Sequence, residues 1–199
     1  MKKVLSLFAA ILMASPGLWA ETETDVPYVD KYGIPTTCTS ATVITSGTHT
    51  LSAGWYVVTA TQVATGSLTC TGDVHLILAD KSALTAEGKD HQAGITVSGE
   101  GNSLTIYGQA GQRGQLRATG GSYSSGIGGG YQGSGSNITI TGGQVTATGG
   151  PNGSGIGGGY QGSGSNITIT GGQVTATGGP NGSGIGGGYQ GSGSNITIT

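Results

Sequence analysis

Three tyrosines recur in this chain at the same position of a 29-residue repeat, and a glutamine follows each of them. The six residues are Tyr131, Tyr160, Tyr189, Gln132, Gln161 and Gln190. An aromatic ring beside amide and hydroxyl groups suits stacking on a sugar ring. We therefore predict that these residues contact a ligand. A tyrosine stack that only joins neighbouring coils would use the same residues, and this alternative stays open.

Acid–base chemistry has few candidate residues. Asp73 and His75 share a strand face by alternation, and Lys89, Asp90 and His91 form a polar loop. Enzymes that cleave polysaccharides need paired carboxylates, or a metal and a base. A simpler interpretation is that His75 belongs to a strand that is otherwise buried and that the loop is a solvated corner. We expect no catalytic residues, no metal site and no cofactor.

The second half of the chain excludes several kinds of site. Arg117 is the last charged side chain, and residues 118–199 contain no Asp, Glu, Lys, Arg, His or Cys. Calcium-binding glycine-rich repeats need carboxylates, so that site is excluded there. The run Gly128–Gly130 is followed by no lysine and no helix signal, which argues against a phosphate cradle. The chain also has no basic patch for nucleic acid.

Threonines alternate with aliphatic residues in each repeat. The pairs Thr139/Thr141 and Thr146/Thr148 point away from the aliphatic face. Stacked coils would array them about 4.8 Å apart between coils and about 6.7 Å apart along a strand. This pattern resembles that of ice-binding solenoids. Exposed strands also favour threonine for its β propensity alone.

The two cysteines are Cys38 and Cys70. An even pair in an exported protein favours a disulfide between them. A pair of free, buried thiols is the alternative.

The elements that position these residues follow from the repeat. Residues 131–159 recur unchanged at 160–188, and a third copy begins at Tyr189. A unit this short buries no core alone, so its copies must stack. In each copy we expect Ile138, Ile140, Val145, Ala147 and Ile156 to face inward, and paired glycines to form the corners.

This pattern predicts an all-β fold, a parallel β-helix or β-solenoid with 29-residue coils. Crossover chirality favours a right-handed helix. A bundle of polyproline-like glycine helices is the rival, and the apolar alternation argues against it.

The chain divides into four parts. Residues 1–20 are predicted to be a signal peptide, with Lys2 and Lys3 before an apolar stretch and Ala20 at the cleavage site. Residues 21–41 are a polar linker or the approach to an N-terminal cap. Irregular solenoid coils follow over 42–121, and near-identical repeats over 122–199. The sequence stops within a repeat, so we expect it to be truncated, or its last coil to associate edge to edge with a partner.

Several motifs together resemble a known group of proteins. The motifs GWYVV (54–58), GDVHLILAD (72–80) and NSLTIYGQ (102–109) precede SGIGGGYQGSGSNITITGGQVTATGG. The string is similar to that of secreted bacterial β-helix surface proteins, some described as carbohydrate-binding and others as adhesin or autotransporter-passenger segments. The resemblance implies the fold strongly and no specific chemistry.

These observations predict a non-enzymatic, exported surface solenoid that acts as an adhesin-like or glycan-binding stalk. We expect it outside the cell or on a bacterial surface, in association with the outer membrane, and its partners to be surface glycans or host matrix components. We expect no nucleic-acid partner and no membrane insertion in this segment. An ice-binding solenoid and a polysaccharide lyase or hydrolase are the alternatives.

Overall fold

A computed structural model describes residues 20–199 of the chain. The predicted signal peptide lies outside this region except for Ala20. The described residues form seventeen β-strands connected by turns. Fifteen of these strands, β3 to β17, wind into a solenoid with three sides.

The strands of each side pair in parallel with those of the next coil. Side one consists of β7 (Ile95–Thr96), β10 (Ile127–Gly128), β13 (Ile156–Gly157) and β16 (Ile185–Gly186). Side two consists of β3 (Thr50–Val58), β5 (Leu68–Leu78), β8 (Ser103–Gly108), β11 (Gly135–Ile140), β14 (Gly164–Ile169) and β17 (Gly193–Ile198). Side three consists of β4 (Val63–Thr65), β6 (Ala83–Glu87), β9 (Gln115–Thr119), β12 (Gln144–Thr148) and β15 (Gln173–Thr177). The predicted parallel β-solenoid is therefore confirmed.

The core is a set of aliphatic columns along the solenoid axis. On side two, Leu104, Ile138 and Ile167 are in register and fully buried. The five residues predicted to face inward are buried in the same cluster: Ile138, Ile140, Val145, Ala147 and Ile156. Strand alternation thus places one aliphatic set in a continuous interior, where it leaves water.

Glycine is required where coils approach most closely. Gly157 has a φ of 130°, and a Cβ there would collide with the carbonyl oxygen of Gly186 in the next coil. Gly143, in one of the predicted glycine corners, has a φ of 83°. A Cβ would meet backbone of the next coil at Gly157 and the Leu78 side chain at Gly143.

The N-terminal segment forms an ordered hairpin. β1 (Thr22–Val29) pairs antiparallel with β2 (Pro35–Val43), and β2 continues in parallel onto β3. The sequence predicts a polar linker or the approach to an N-terminal cap at residues 21–41, and the structure has this hairpin there. The hairpin packs on the outer face of side two, where Val26, Val57, Ile77 and Tyr107 form a second buried cluster.

The disulfide considered for Cys38 and Cys70 is absent from this structure, in which both thiols are free. Cys70 pairs in register with Leu51 and faces the solenoid interior. Cys38 belongs to the hairpin and to the outer cluster. The wall of side two separates the two thiols, so the pair corresponds to the alternative of free, buried cysteines.

Candidate functional site

The three repeated tyrosines form one continuous stack along the solenoid. The ring centroids of Tyr131 and Tyr160 are 5.7 Å apart with planes 6° from parallel, and those of Tyr160 and Tyr189 are 5.7 Å apart at 17°. Tyr131 is 42% exposed and Tyr189 is 40% exposed. These distances lie within the range of offset-stacked aromatic pairs. We call this row of tyrosines, with the glutamines that follow them, the Tyr–Gln ridge.

The ridge continues upstream through two residues outside the six predicted from the sequence, His91 and Tyr123. The His91 ring lies 4.8 Å from Tyr131, and Tyr123 lies 5.9 Å from Tyr131 and 5.6 Å from Tyr160, centroid to centroid. The backbone N–H of Tyr131 donates to the His91 carbonyl at 3.0 Å. The upstream coils have inserted turn residues, so His91 falls outside the 29-residue period. The sequence shows the polar loop that contains His91, but it does not indicate that His91 lies beside Tyr131.

The glutamines form an amide ladder beside the rings. Gln132 Nε2 donates to Gln161 Oε1 at 3.1 Å, and Gln161 Nε2 donates to Gln190 Oε1 at 3.1 Å. All three residues adopt left-handed backbone conformations, with φ of 56°, 58° and 61°. A carboxamide has two N–H donors and two acceptor lone pairs. Each amide in the ladder therefore keeps capacity for a ligand hydroxyl.

This geometry supports two roles at once. Ring stacking and amide bonding join consecutive coils, as the stapling alternative requires. The partly exposed tyrosines, with the spare hydrogen-bonding capacity of the glutamine amides, form a polar and aromatic strip that repeats once per coil. The structure brings together all six predicted ligand-contact residues.

The threonines form shorter arrays than the repeat alone suggests. Thr139, Thr168 and Thr197 are in register on side two. Thr141 is buried, and its hydroxyl donates to the Ile106 carbonyl at 3.1 Å. On side three, Thr146 pairs with Thr175 of the next coil and with Arg117 of the preceding coil. The side-two column also includes Thr105, whereas the Thr146 column ends at Arg117.

Asp73 and His75 lie on one strand face, as alternation predicts. Asp73 Oδ2 lies 3.2 Å from His75 Nε2, and Ser103 Oγ donates to Asp73 Oδ1. His75 Nδ1 lies 3.0 Å from the Tyr107 hydroxyl, and Trp55 stacks on the His75 ring at 4.4 Å. Burial raises the pKa of Tyr107 to about 12, which keeps its hydroxyl protonated.

Two further features are absent from the part of the chain that the structure describes. In residues 20–199 no three His, Cys, Asp or Glu side chains are grouped as metal ligands. The same residues contain no helix of the length and apolarity that crossing a membrane demands.

Comparison with known proteins agrees with the architecture. The beta helix repeat family model matches residues 138–160 and 167–189, which include β12, β15 and two tyrosines of the ridge, Tyr160 and Tyr189. No curated protein and no solved structure matches the chain. The stacked coils and the family match together define a β-helix repeat protein.

Proposed function

We propose that this protein is an exported, non-enzymatic β-helix that contacts surface glycans or host matrix through the Tyr–Gln ridge. The observation that carries the proposal is the ring stack of Tyr131, Tyr160 and Tyr189 at 5.7 Å spacing. Each coil adds one tyrosine and one glutamine to the same straight strip. A glycan with repeated sugar units therefore contacts the ridge at several coils at once.

Binding through such a strip is weak for one coil and grows with the number of coils. Linked sites convert later contacts into intramolecular ones, which raises avidity by about 10²–10⁴ without new chemistry. The number of 29-residue units then sets both the reach and the strength of adhesion.

The test varies coil number in the full chain. Residues 160–188 repeat residues 131–159, so deleting either block gives the same sequence, and a further copy is inserted in register. We expect adhesion to glycan-coated beads to rise steeply with copy number. Adhesion that does not depend on copy number contradicts the proposal. A ridge-deficient control with Tyr131, Tyr160 and Tyr189 all changed to serine separates the ridge from length alone.

Export is a separate part of the proposal. The positive residues Lys2 and Lys3, the apolar stretch and Ala20 support it. Amino-terminal sequencing of the protein released from cells is expected to begin at Glu21. A protein retained in the cytoplasm with Met1 intact contradicts it.

The absence of catalysis is also proposed and tested directly. Few acidic side chains are candidates, and Asp73 already pairs with His75 and accepts a hydrogen bond from Ser103. We expect incubation with neutral and uronate polysaccharides to release no new chain ends. Chain cleavage that is lost in Asp73→Asn identifies a lyase or hydrolase instead.

Ice binding is a second candidate because Thr139, Thr168 and Thr197 form one registered column. Threonine methyl and hydroxyl groups spaced about 4.8 Å apart form a flat, regular array. Thermal hysteresis that is lost in Thr168→Ala favours this candidate. Freezing behaviour equal to that of a control protein at the same concentration rejects it.

A further inference from the structure

A second cleft lies away from the Tyr–Gln ridge, between the turn of the β1–β2 hairpin and the outer face of side two. Its volume is about 370 Å³, and its lining includes Asp30, Lys31, Tyr32, Asp73, His75 and Tyr107. Ligand pockets usually begin at about 300 Å³, so this space accepts one small ring. We infer that this cleft, named the hairpin cleft, binds a neutral sugar residue of a glycan.

One wall of the hairpin cleft holds an oriented carboxylate. Asp73 is 66% exposed, and its two oxygens are positioned by Ser103 and by His75. A carboxylate has about four acceptor sites, so two remain for a ligand. A fixed carboxylate with free acceptor sites suits a pair of sugar hydroxyls, which donate to it together.

The opposite wall holds a second carboxylate. Asp30 Oδ1 accepts the backbone N–H groups of Tyr32 at 2.9 Å and of Ile34 at 2.8 Å, which fixes the hairpin turn. Asp30 lines the cleft, and its Oδ2 makes no hydrogen bond to residues 20–199, so this oxygen keeps its acceptor capacity. Lys31 contributes the ammonium donor of the cleft.

An aromatic surface completes the cleft. Tyr32 is 75% exposed in the turn, and Lys31 Nζ lies 5.1 Å from the centroid of its ring. Tyr107 and Tyr28 lie behind it, 4.9 Å apart at their centroids. An aromatic face packs against the C–H face of a pyranose, while its hydroxyl groups reach the carboxylates.

The charges of the hairpin cleft favour neutral sugars over acidic ones. Two carboxylates face one lysine, so an acidic sugar brings a third negative charge into the cleft. Repulsion between like charges opposes the binding of an acidic sugar. Neutral hexoses are therefore preferred over uronic acids.

The cleft occurs once in the described solenoid, because the side-two sequence changes along the axis. The position of His75 is occupied by Thr105 in the next coil and then by Thr139 and Thr168. The carboxylate of Asp73 aligns with Ser103. Charged and aromatic side chains thus occupy this face only beside the hairpin.

The inference rests on the proposed function for the class of ligand, and the three histidines of the chain separate the two sites. His75 lies in the hairpin cleft, His91 begins the ridge, and His49 touches neither. The protein of residues 21–199 is titrated with methyl glycosides of glucose, galactose, mannose and glucuronic acid. The imidazole signals are followed by NMR, and affinity is measured by calorimetry.

We expect a neutral glycoside to shift the His75 signals while those of His49 and His91 stay in place. Asp73→Asn and Tyr32→Ala are each expected to weaken this binding at least tenfold. The ridge triple variant is expected to bind the glycoside like the unaltered protein. Circular dichroism melting confirms that each variant is folded, and Tyr32 is exposed enough that its removal leaves the fold intact.

Three outcomes overturn the inference. They are no binding of any neutral glycoside, tighter binding of the glucuronoside than of all neutral ones, and binding that shifts His91 instead of His75. The last two leave the ridge proposal standing, and the coil-number experiment judges it independently. If adhesion does not depend on coil number but the glycoside still shifts the His75 signals, only the ridge function is rejected.

Discussion

Tyr131 and Tyr160 stack with their ring planes 6° apart, although 29 residues separate them in the chain. The contact exists because each coil places the same residue above its copy. Tyr160 is the central ring, since it also meets Tyr189 and Tyr123. It is therefore the position at which stacking is tested most directly.

Tyr160→Ala is expected to lower the free energy of unfolding by about 2 kcal/mol, because it removes several aromatic pairs worth about 0.5–1.5 kcal/mol each. Urea denaturation measures the change. Tyr160→Phe keeps the ring and is the control, expected within about 0.5 kcal/mol of the unaltered protein. Equal losses in the two variants refute the stacking contribution.

Alanine substitutions at three glycines distinguish the cost of backbone strain from the cost of a steric clash. Gly157→Ala combines a positive φ with a clash against Gly186 and is expected to prevent folding or to cost more than about 4 kcal/mol. Gly101 has a φ of 77° with open space around it, so Gly101→Ala is expected to cost about 1 kcal/mol. Gly66 has open space and no positive φ, and Gly66→Ala serves as the neutral control. Thermal melts rank the variants, and any other order disproves the close-approach argument.

Trp55 holds the hairpin on the solenoid. Its ring lies 4.4 Å from His75, 5.0 Å from Tyr28 and 5.3 Å from Tyr107. Trp55→Ala is expected to cost about 3–5 kcal/mol and to speed amide exchange in β1 and β2 more than in β12. Hydrogen exchange by mass spectrometry resolves the two regions. Uniform acceleration in all strands contradicts a local docking role.

Because the Cys70 thiol is buried, we expect the protein to lose stability at high pH. Burial raises the pKa of its thiol from 9.0 to about 12. Below pH 9 both folded and unfolded thiols are protonated, and the contribution to stability is complete. Above pH 9 the unfolded thiol ionises first, so the unfolded state binds fewer protons and the free energy of unfolding falls as pH rises toward 12.

The slope from this one thiol approaches ~1.4 kcal/mol per pH unit. Chemical denaturation between pH 8 and 10 measures it, and Cys70→Ala is expected to flatten the profile from pH 9 to 10. Tyr107 adds to the decline above pH 10, because burial also raises its pKa from 10.0 to about 12. Parallel profiles for the two proteins exclude a role for Cys70.

The coil interior was predictable because its pattern is local and repeated. Alternation in NITIT decides that Ile138 and Ile140 share a face, and identical copies fix which residues stack. The same alternation placed Asp73 and His75 on one face, and the structure brings them to 3.2 Å. The 29-residue period likewise predicts that the tyrosines and glutamines of the ridge lie in register.

Contacts without a common period were decided only by the tertiary structure. His91 joins the ridge because insertions lengthen the upstream coils, and no spacing in the sequence marks that. The hairpin covers Trp55 through contacts between distant, unrepeated segments, which also places Cys38 outside the wall that Cys70 faces from within. A repeat specifies its neighbours through backbone register, whereas docking of a unique segment depends on side chains that meet only after the solenoid has formed.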